Sequence, residues 1–348
     1  MSFDLNKLIR ENVAQMKAYS SARDEFTGAT DDMVFLDANE NPFENGVNRY
    51  PDPMQKTVKS ELSKIKSIAQ ENILLGNGSD EVIDLVFRAF CEPKQDNVIT
   101  LPPSYGMYDV SANLNNISIK EVPLKENFQP NVAKILETVD ANTKVIFLCS
   151  PNNPSGNLFD YANVKAIVEG FNGLVVVDEA YIDFASEPSW IRRLEKYPNL
   201  MVSQTLSKAY GMAGIRLGVC YASKEIIAVL NKIKPPYNVN ELTQQKALER
   251  LLAYEDVQEE IEAILVERDN LEIALKEVAF VEKIYPSDAN FLLVKVDDAT
   301  KRYNQLIEKG IVVRNRTTQL HCENTLRFTV GTIKENVALM KALKELEK

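Results

Sequence analysis

The 348-residue chain is short of the residues on which most metal and hydrolytic chemistry depends. It has a single histidine, His321, which excludes histidine-rich metal sites and would leave any Ser-His-Asp arrangement resting on one side chain. His321 adjoins Cys322, a poor spacing for two ligands to one metal, and both read as structural. The four cysteines (Cys91, Cys149, Cys220 and Cys322) are scattered and form no CxxC, the usage expected of reduced thiols in a cytoplasmic protein. No apolar run approaches the ~18–20 residues needed to span a bilayer. The opening MSFDLNKLIRENV has neither an apolar core nor a small-residue cleavage site. A basic excess is missing too: 40 Lys and Arg face 50 Asp and Glu, a net charge of -10. That balance argues against nucleic acid or an anionic membrane as partner, while leaving room for a local basic pocket and a small anionic substrate.

What is present is ordinary globular material, 45% hydrophobic and 26% charged, in a chain long enough for two domains. No internal repeat or low-complexity tract interrupts it. Short apolar, β-branched runs at 98–101, 117–124, 143–149, 174–178, 200–204 and 217–221 read as strands. Helical patterns such as 80–90, 161–169 and 223–231 lie between them. That alternation predicts an α/β sheet covered on both faces, with ligands beyond the strand ends. After Pro235–Pro236 the texture changes. Residues 241–278 are nearly all good helix formers with apolar spacings of three and four, one broken helix or two in succession. Strands at 289–296, 311–313 and 326–330, a helix at 301–308 and a last helix from Lys334 complete a smaller α+β unit. The turn-rich stretch 39–53 reads as a crossing between the units. The expected division is an N-terminal arm that joins the small unit (1–45), a large domain (46–238) and a small C-terminal domain (239–348).

Four segments carry chemistry. In TLSKAYGMAGIRLG (205–218), Lys208 follows an apolar strand and sits among Thr205, Ser207, Gly211 and Gly214, with Arg216 eight residues on. Small hydroxyls, permissive glycines and a cation together can hold a phosphate, and a lysine beside that anchor is placed to reach a cofactor aldehyde. The β-lactamase SxxK pattern fails here, because threonine stands where its serine belongs and no KTG follows. In LVVVDEAYIDF (174–184), Asp178 ends an apolar strand, where an unpaired carboxylate is costly to desolvate. It needs a cationic partner: an arginine, or a protonated pyridine nitrogen whose ring then serves as an electron sink. Tyr181 is placed to donate to a phenolate oxygen on that ring.

SPNNPSGN (150–157) directly follows a strand; turn chemistry alone accounts for many such clusters, but its placement beyond a strand end favours a ligand role. GNGSDEVIDL (76–85) feeds two glycines into a helix whose first turn holds Ser79, Asp80 and Glu81. Its free amides suit a phosphate, although Ser79 or Asp80 could equally be a simple cap. It is not a dinucleotide-binding fingerprint, since Glu81 stands at the third glycine position. Tyr105, in PPSYGMY, follows another strand and could lie against the ring or merely pack. Together these parts suit pyridoxal phosphate held as a Schiff base on Lys208.

In this order the segments closely resemble the class I/II aminotransferases of pyridoxal-phosphate fold type I, and among them the histidinol-phosphate aminotransferases. The match runs nearly end to end: AYSSAR (18–23), LDANENP (36–42), NRYPDP (48–53), NGSDE (77–81), PSYGMY (103–108), PNNPSG (151–156), VVDEAY (176–181), TLSKAYGMAGIR (205–216), DANF (288–291), GIVVR (310–314) and LRFTVGT (326–332). The resemblance implies a mostly parallel central sheet with helices on both faces, plus a smaller α+β domain. It gives Lys208 the covalent link and the proton shuttle, Asp178 the pyridine nitrogen, Asn153 and Tyr181 the phenolate oxygen, and Tyr105 the ring face. Ser79, Asp80, Thr205, Ser207 and Arg216 fall on the cofactor phosphate. Tyr50 belongs to a motif that reaches the neighbouring subunit's cofactor phosphate, which implies a homodimer with shared sites. Arg327 matches the arginine that receives the substrate's anionic group and Arg314 a second one beside it. Tyr19 matches a pocket position, and Asn39 lies in the loop that closes over the substrate.

The implied substrates are histidinol phosphate with imidazole acetol phosphate, and glutamate with 2-oxoglutarate. Histidinol phosphate carries a CH2-phosphate where an amino acid has its α-carboxylate, and two arginines can serve either anion in turn. Departures are few: Ser155 replaces the usual threonine of the Asn-Pro-Thr-Gly turn, and the stretch 315–326 carries little information. A phosphothreonine decarboxylase and an aromatic aminotransferase share the scaffold. A non-catalytic pyridoxal-phosphate-binding regulator lacks support, since no DNA-binding extension or basic patch is present.

Overall fold

Leu174–Asp178 is a strand because Leu-Val-Val-Val is apolar on both faces of its pleat and its three valines are β-branched. In the computed structural model, which describes residues 3–19 and 33–347, all five of its residues are buried. Val175 and Val177 enter one core layer, Leu174 and Val176 the layer on the opposite face. Each such side chain contributes roughly 1.5–3 kcal/mol by leaving water. The preceding strand Thr143–Cys149 alternates in the same way, Ile146 and Leu148 to one layer, Val145, Phe147 and Cys149 to the other.

The main sheet has seven strands: β1 (Ile73–Asn77), β2 (Asn97–Thr100), β3 (Ser118–Glu121), β4 (Thr143–Cys149), β5 (Leu174–Asp178), β6 (Leu200–Thr205) and β7 (Leu217–Ala222). Their spatial order is β1-β7-β6-β5-β4-β2-β3. β3, β2, β4, β5 and β6 are parallel. β7 pairs antiparallel with both β6 and β1, so it alone runs against the other six. The carboxyl ends of six strands therefore share one edge with the amino end of β7. Helices Gly78–Phe90, Met107–Leu114 and Lys224–Ile233 cover one face, and Lys56–Lys66, Tyr161–Gly170 and Glu241–Leu252 lie on the other.

A second, antiparallel sheet joins β8 (Val281–Ile284), β9 (Phe291–Val296), β10 (Arg314–Asn315) and β11 (Thr325–Thr329) in the order β10-β11-β9-β8. Its own core includes Leu292, Val294, Leu326 and Phe328, packed with Leu271 and Leu275 of the helix Tyr254–Leu275 and Leu339 and Leu343 of the last helix. That last helix, Ile333–Glu345, starts with a capping box in which Thr332 and Glu335 satisfy each other's end groups.

The structure departs from the sequence reading in several places. Residues 311–313 form no strand: Gly310 turns at φ +77, the Ile311 amide still bonds back to the Leu306 carbonyl, and Val312 is exposed. Pairing begins only at Arg314. β1 went unread because ILLGN carries a glycine and a polar end; it forms through its antiparallel match to β7. Residues 3–16, expected beside the small unit, pack on the large sheet's helices. Leu8 joins that core, Arg10 pairs with Glu92, and the Lys232 ammonium donates to the Val13 carbonyl. The predicted segment AYSSAR lies, from its third residue on, outside the described residues. Among the described residues, no helix is long and apolar enough to cross a membrane.

Candidate active site

The sheet edge where six carboxyl ends meet holds a cleft lined by Ser79, Asp80, Tyr105, Cys149, Asn153, Asp178, Ala180, Tyr181, Thr205, Ser207, Lys208 and Arg216. Each arrives for a topological reason. Ser79 and Asp80 open the helix after β1, Tyr105 follows β2, Asn153 follows β4, and Asp178 ends β5. Lys208 lies three residues past β6, and Arg216 immediately precedes the reversed strand β7.

One end of the cleft is built for an anion. Arg216 sits in the left-handed region (φ 54), and its carbonyl accepts the Gly78 amide at 2.8 Å. Its guanidinium reaches Ser207 Oγ and Asp80, each at 3.4 Å. Gly218 is required here, because a Cβ would stand 2.4 Å from the Ser79 nitrogen. Gly78 (φ +76) would drive a Cβ to 2.7 Å from the Arg216 guanidinium. The two glycines thus bring helix start, cation and hydroxyls together.

The other end holds Asp178, buried at 3% exposure. Tyr108 donates its hydroxyl to one carboxylate oxygen at 2.7 Å, and the Ala180 amide donates to the other at 3.1 Å. Among the described residues no lysine or arginine lies within ion-pair distance of this carboxylate. Burial pushes its pKa up, and the Tyr108 and Ala180 hydrogen bonds pull it back. A buried carboxylate with two donors and no cation is suited to a protonated ring nitrogen. Between the ends, Tyr105 donates to Asp80 at 3.0 Å, and the Lys208 ammonium lies 5.7 Å from the centre of the Tyr181 ring. Burial lowers the pKa of Lys208, and Arg327 and Arg216 lower it further, which favours the neutral amine that covalent and proton-transfer chemistry requires. The donor set fits pyridoxal phosphate: a phosphate cradle, a ring-nitrogen partner and an amine within one cleft.

The small sheet adds cations. In the β10–β11 register Arg314 stands opposite Arg327, so both side chains leave the same face. Arg327 donates to the Asn153 side-chain oxygen and lies over the Phe291 ring. Burial and the neighbouring Arg316 draw its pKa down to about 10. Arg314 is exposed.

Five predicted residues do not line the cleft: Arg327 meets it through Asn153, while Arg314, Tyr19, Asn39 and Tyr50 are absent from its lining. Tyr19 is 69% exposed. Asn39 and Tyr50 line a separate surface depression with Arg49, Asn240 and Glu241, where Tyr50 stacks on Tyr237 at 4.4 Å. Sequence reasoning missed Tyr108 and Arg316. Tyr108 was legible only as the second tyrosine of YGMY, one helical turn after Tyr105. Arg316 had the signal of period-two spacing from Arg314.

The family model for aminotransferase class I and II matches residues 27–343. A histidinol-phosphate aminotransferase of Flavobacterium johnsoniae is 63% identical over 346 residues, covering 99% of each chain. By fold alone, the chain is similar to the histidinol-phosphate aminotransferase structure from Clostridium acetobutylicum, with TM-score 0.80 and 24% identity over 86% of this chain and 91% of that one. The Sinorhizobium meliloti histidinol-phosphate aminotransferase, solved in complex with pyridoxal-5'-phosphate, matches with TM-score 0.76 and 21% identity over 86% of this chain and 83% of that one. This chain belongs to the class I and II aminotransferases and, within them, to the histidinol-phosphate aminotransferase family.

Proposed function

We propose that the protein uses pyridoxal phosphate to transfer an amino group from histidinol phosphate to 2-oxoglutarate, giving imidazole acetol phosphate and glutamate, a step of histidine biosynthesis. The observation that carries this reading is the single cleft shared by Lys208, Asp178, Asn153, Tyr181 and the Ser79/Thr205/Ser207/Arg216 group. When bound, the cofactor supplies an electron sink for negative charge at the substrate Cα. Arg216, Ser207, Thr205 and the amides of Ser79 and Asp80 hold its phosphate. Asp178 keeps its ring nitrogen protonated, and Tyr108 keeps Asp178 in place. Tyr105 covers the ring, while Asn153 and Tyr181 hold the phenolate oxygen.

Lys208 would hold the cofactor covalently through its Nζ, and as a free amine that Nζ would accept the proton from the substrate Cα. Arg327 and Arg314 hold the substrate anion in both halves of a ping-pong cycle. Residues 46–238 carry the cofactor site and residues 239–348 supply the arginines. Tyr50 lies in a depression apart from its own chain's cleft, in keeping with a homodimer in which it serves the partner's site. The four buried free cysteines suit a reducing cytoplasm.

The test is turnover of histidinol phosphate, phenylalanine and phosphothreonine, each with 2-oxoglutarate. Glutamate formed fastest from histidinol phosphate supports the proposal; faster transfer from phenylalanine, or carbon dioxide released from phosphothreonine, overturns it.

A further inference from the structure

Arg316 has no place in the roles assigned so far, and its surroundings are unusual for a surface arginine. The Arg316 amide donates to the Thr325 carbonyl at 2.9 Å, which extends the β10–β11 pairing by one residue. Strand alternation then puts Arg316 on the same face as Arg314, and that face also carries Arg327. Leu326, between these positions on β11, points the other way into the small core. Three guanidinium groups therefore share one face, and the Arg327 and Arg316 charges act on Tyr181. The Nε atoms of both Arg316 and Arg327 are buried without a hydrogen-bond partner. Among the described residues, no carboxylate pairs with Arg314, Arg316 or Arg327. Burial and the nearby Arg314 charge lower the pKa of Arg316, the sign of a cation held among cations.

Such a cluster is costly unless an anion completes it. A carboxylate brings one negative charge and two acceptor oxygens, which one guanidinium fork satisfies. A phosphate monoester brings close to two charges and three oxygens. We propose that Arg316 is a third substrate-anion residue, which pairs with the phosphate of a phosphomonoester amine and separates it from the carboxylates of glutamate. This inference rests on the amino-transfer reading above.

The test compares holoenzyme carrying Arg316→Gln or Arg316→Lys with the unaltered protein. Arg316→Gln raises KM for histidinol phosphate about tenfold and KM for glutamate less than about twofold, the loss expected for one charge-assisted contact. Arg316→Lys, which keeps the charge but not the fork, recovers part of that loss. Inorganic phosphate titrated calorimetrically into the holoenzyme, whose cofactor-phosphate site is filled, binds Arg316→Gln about tenfold more weakly. Unchanged KM for both substrates, or an equal rise for both, overturns the proposal. If Arg316→Gln does not fold, Arg316→Lys decides by the same comparison of the two KM values. A protein that never turns over histidinol phosphate refutes the amino-transfer reading instead, and weaker inorganic phosphate binding by Arg316→Gln would still support the anion site.

Discussion

The edge of the large sheet and the β10–β11 edge of the small sheet both present charge to one cleft, but they treat it differently. On the large sheet Arg216 meets Asp80 and Ser207, and Asp178 accepts hydrogen bonds from Tyr108 and the Ala180 amide. On the small sheet Arg314, Arg316 and Arg327 face one way with no carboxylate among the described residues. A permanent guest needs a preformed, nearly balanced cradle, whereas substrates that come and go are attracted by charge left unbalanced. Changes on the large sheet should therefore impair the chemistry whatever the substrate. Changes on the small sheet should sort substrates by their anion.

The largest effect expected is from Lys208→Ala, which removes both the covalent anchor and the base. Turnover of every substrate should fall by more than about a thousandfold, measured as glutamate formation, while some cofactor remains bound at the phosphate cradle. Asp178→Asn follows, with kcat down about 10²–10³-fold and a smaller loss of cofactor affinity; a loss confined to KM would break the division of labour. Arg327→Gln should raise KM for histidinol phosphate and glutamate alike, by about tenfold or more. An effect on one substrate only would blur the contrast with Arg316. Tyr108→Phe leaves Asp178 with one donor fewer, and kcat should fall by about tenfold with KM for both substrates little changed.

The smallest effect concerns stability. Glu179 accepts hydrogen bonds from Ser189, the Trp190 amide and Gln204, yet burial pushes its pKa up to about 7 from the ordinary 4.5. The folded state therefore holds this proton more tightly than the unfolded chain. That stabilising contribution is complete below about pH 4.5 and is lost as pH rises to about 7. Relative to Glu179→Gln, the unaltered protein should lose melting temperature across this window, read by calorimetry at several pH values. A difference that does not vary with pH would mean that Glu179 is already ionised throughout.

Much of the large sheet was legible because its central strands are covered on both faces. β4 and β5 fall at the residues expected, since an uninterrupted apolar, β-branched run has few other ways to bury itself. β1 was not legible, because what makes Ile73–Asn77 a strand is its distant partner β7 rather than its own composition. At 311–313 the local pattern was misleading: three β-branched residues follow a helix whose closing hydrogen bonds and Gly310 turn delay the strand. The cleft was legible residue by residue wherever a motif abutted a strand end. Tyr108 and Arg316 act through burial and register, which appear only once helix and sheet have been assembled. Tyr50 and Asn39 gather in a depression of their own, so their proposed role cannot be read within one chain.

The most direct measurement is on Lys208 itself. Borohydride reduction of the holoenzyme, followed by digestion and peptide mass mapping, fixes the cofactor on whichever lysine holds it. The account predicts a single pyridoxyl-phosphate adduct on Lys208, in the peptide that carries TLSKAYG. An adduct on another lysine, or none in protein that has bound cofactor, would contradict it.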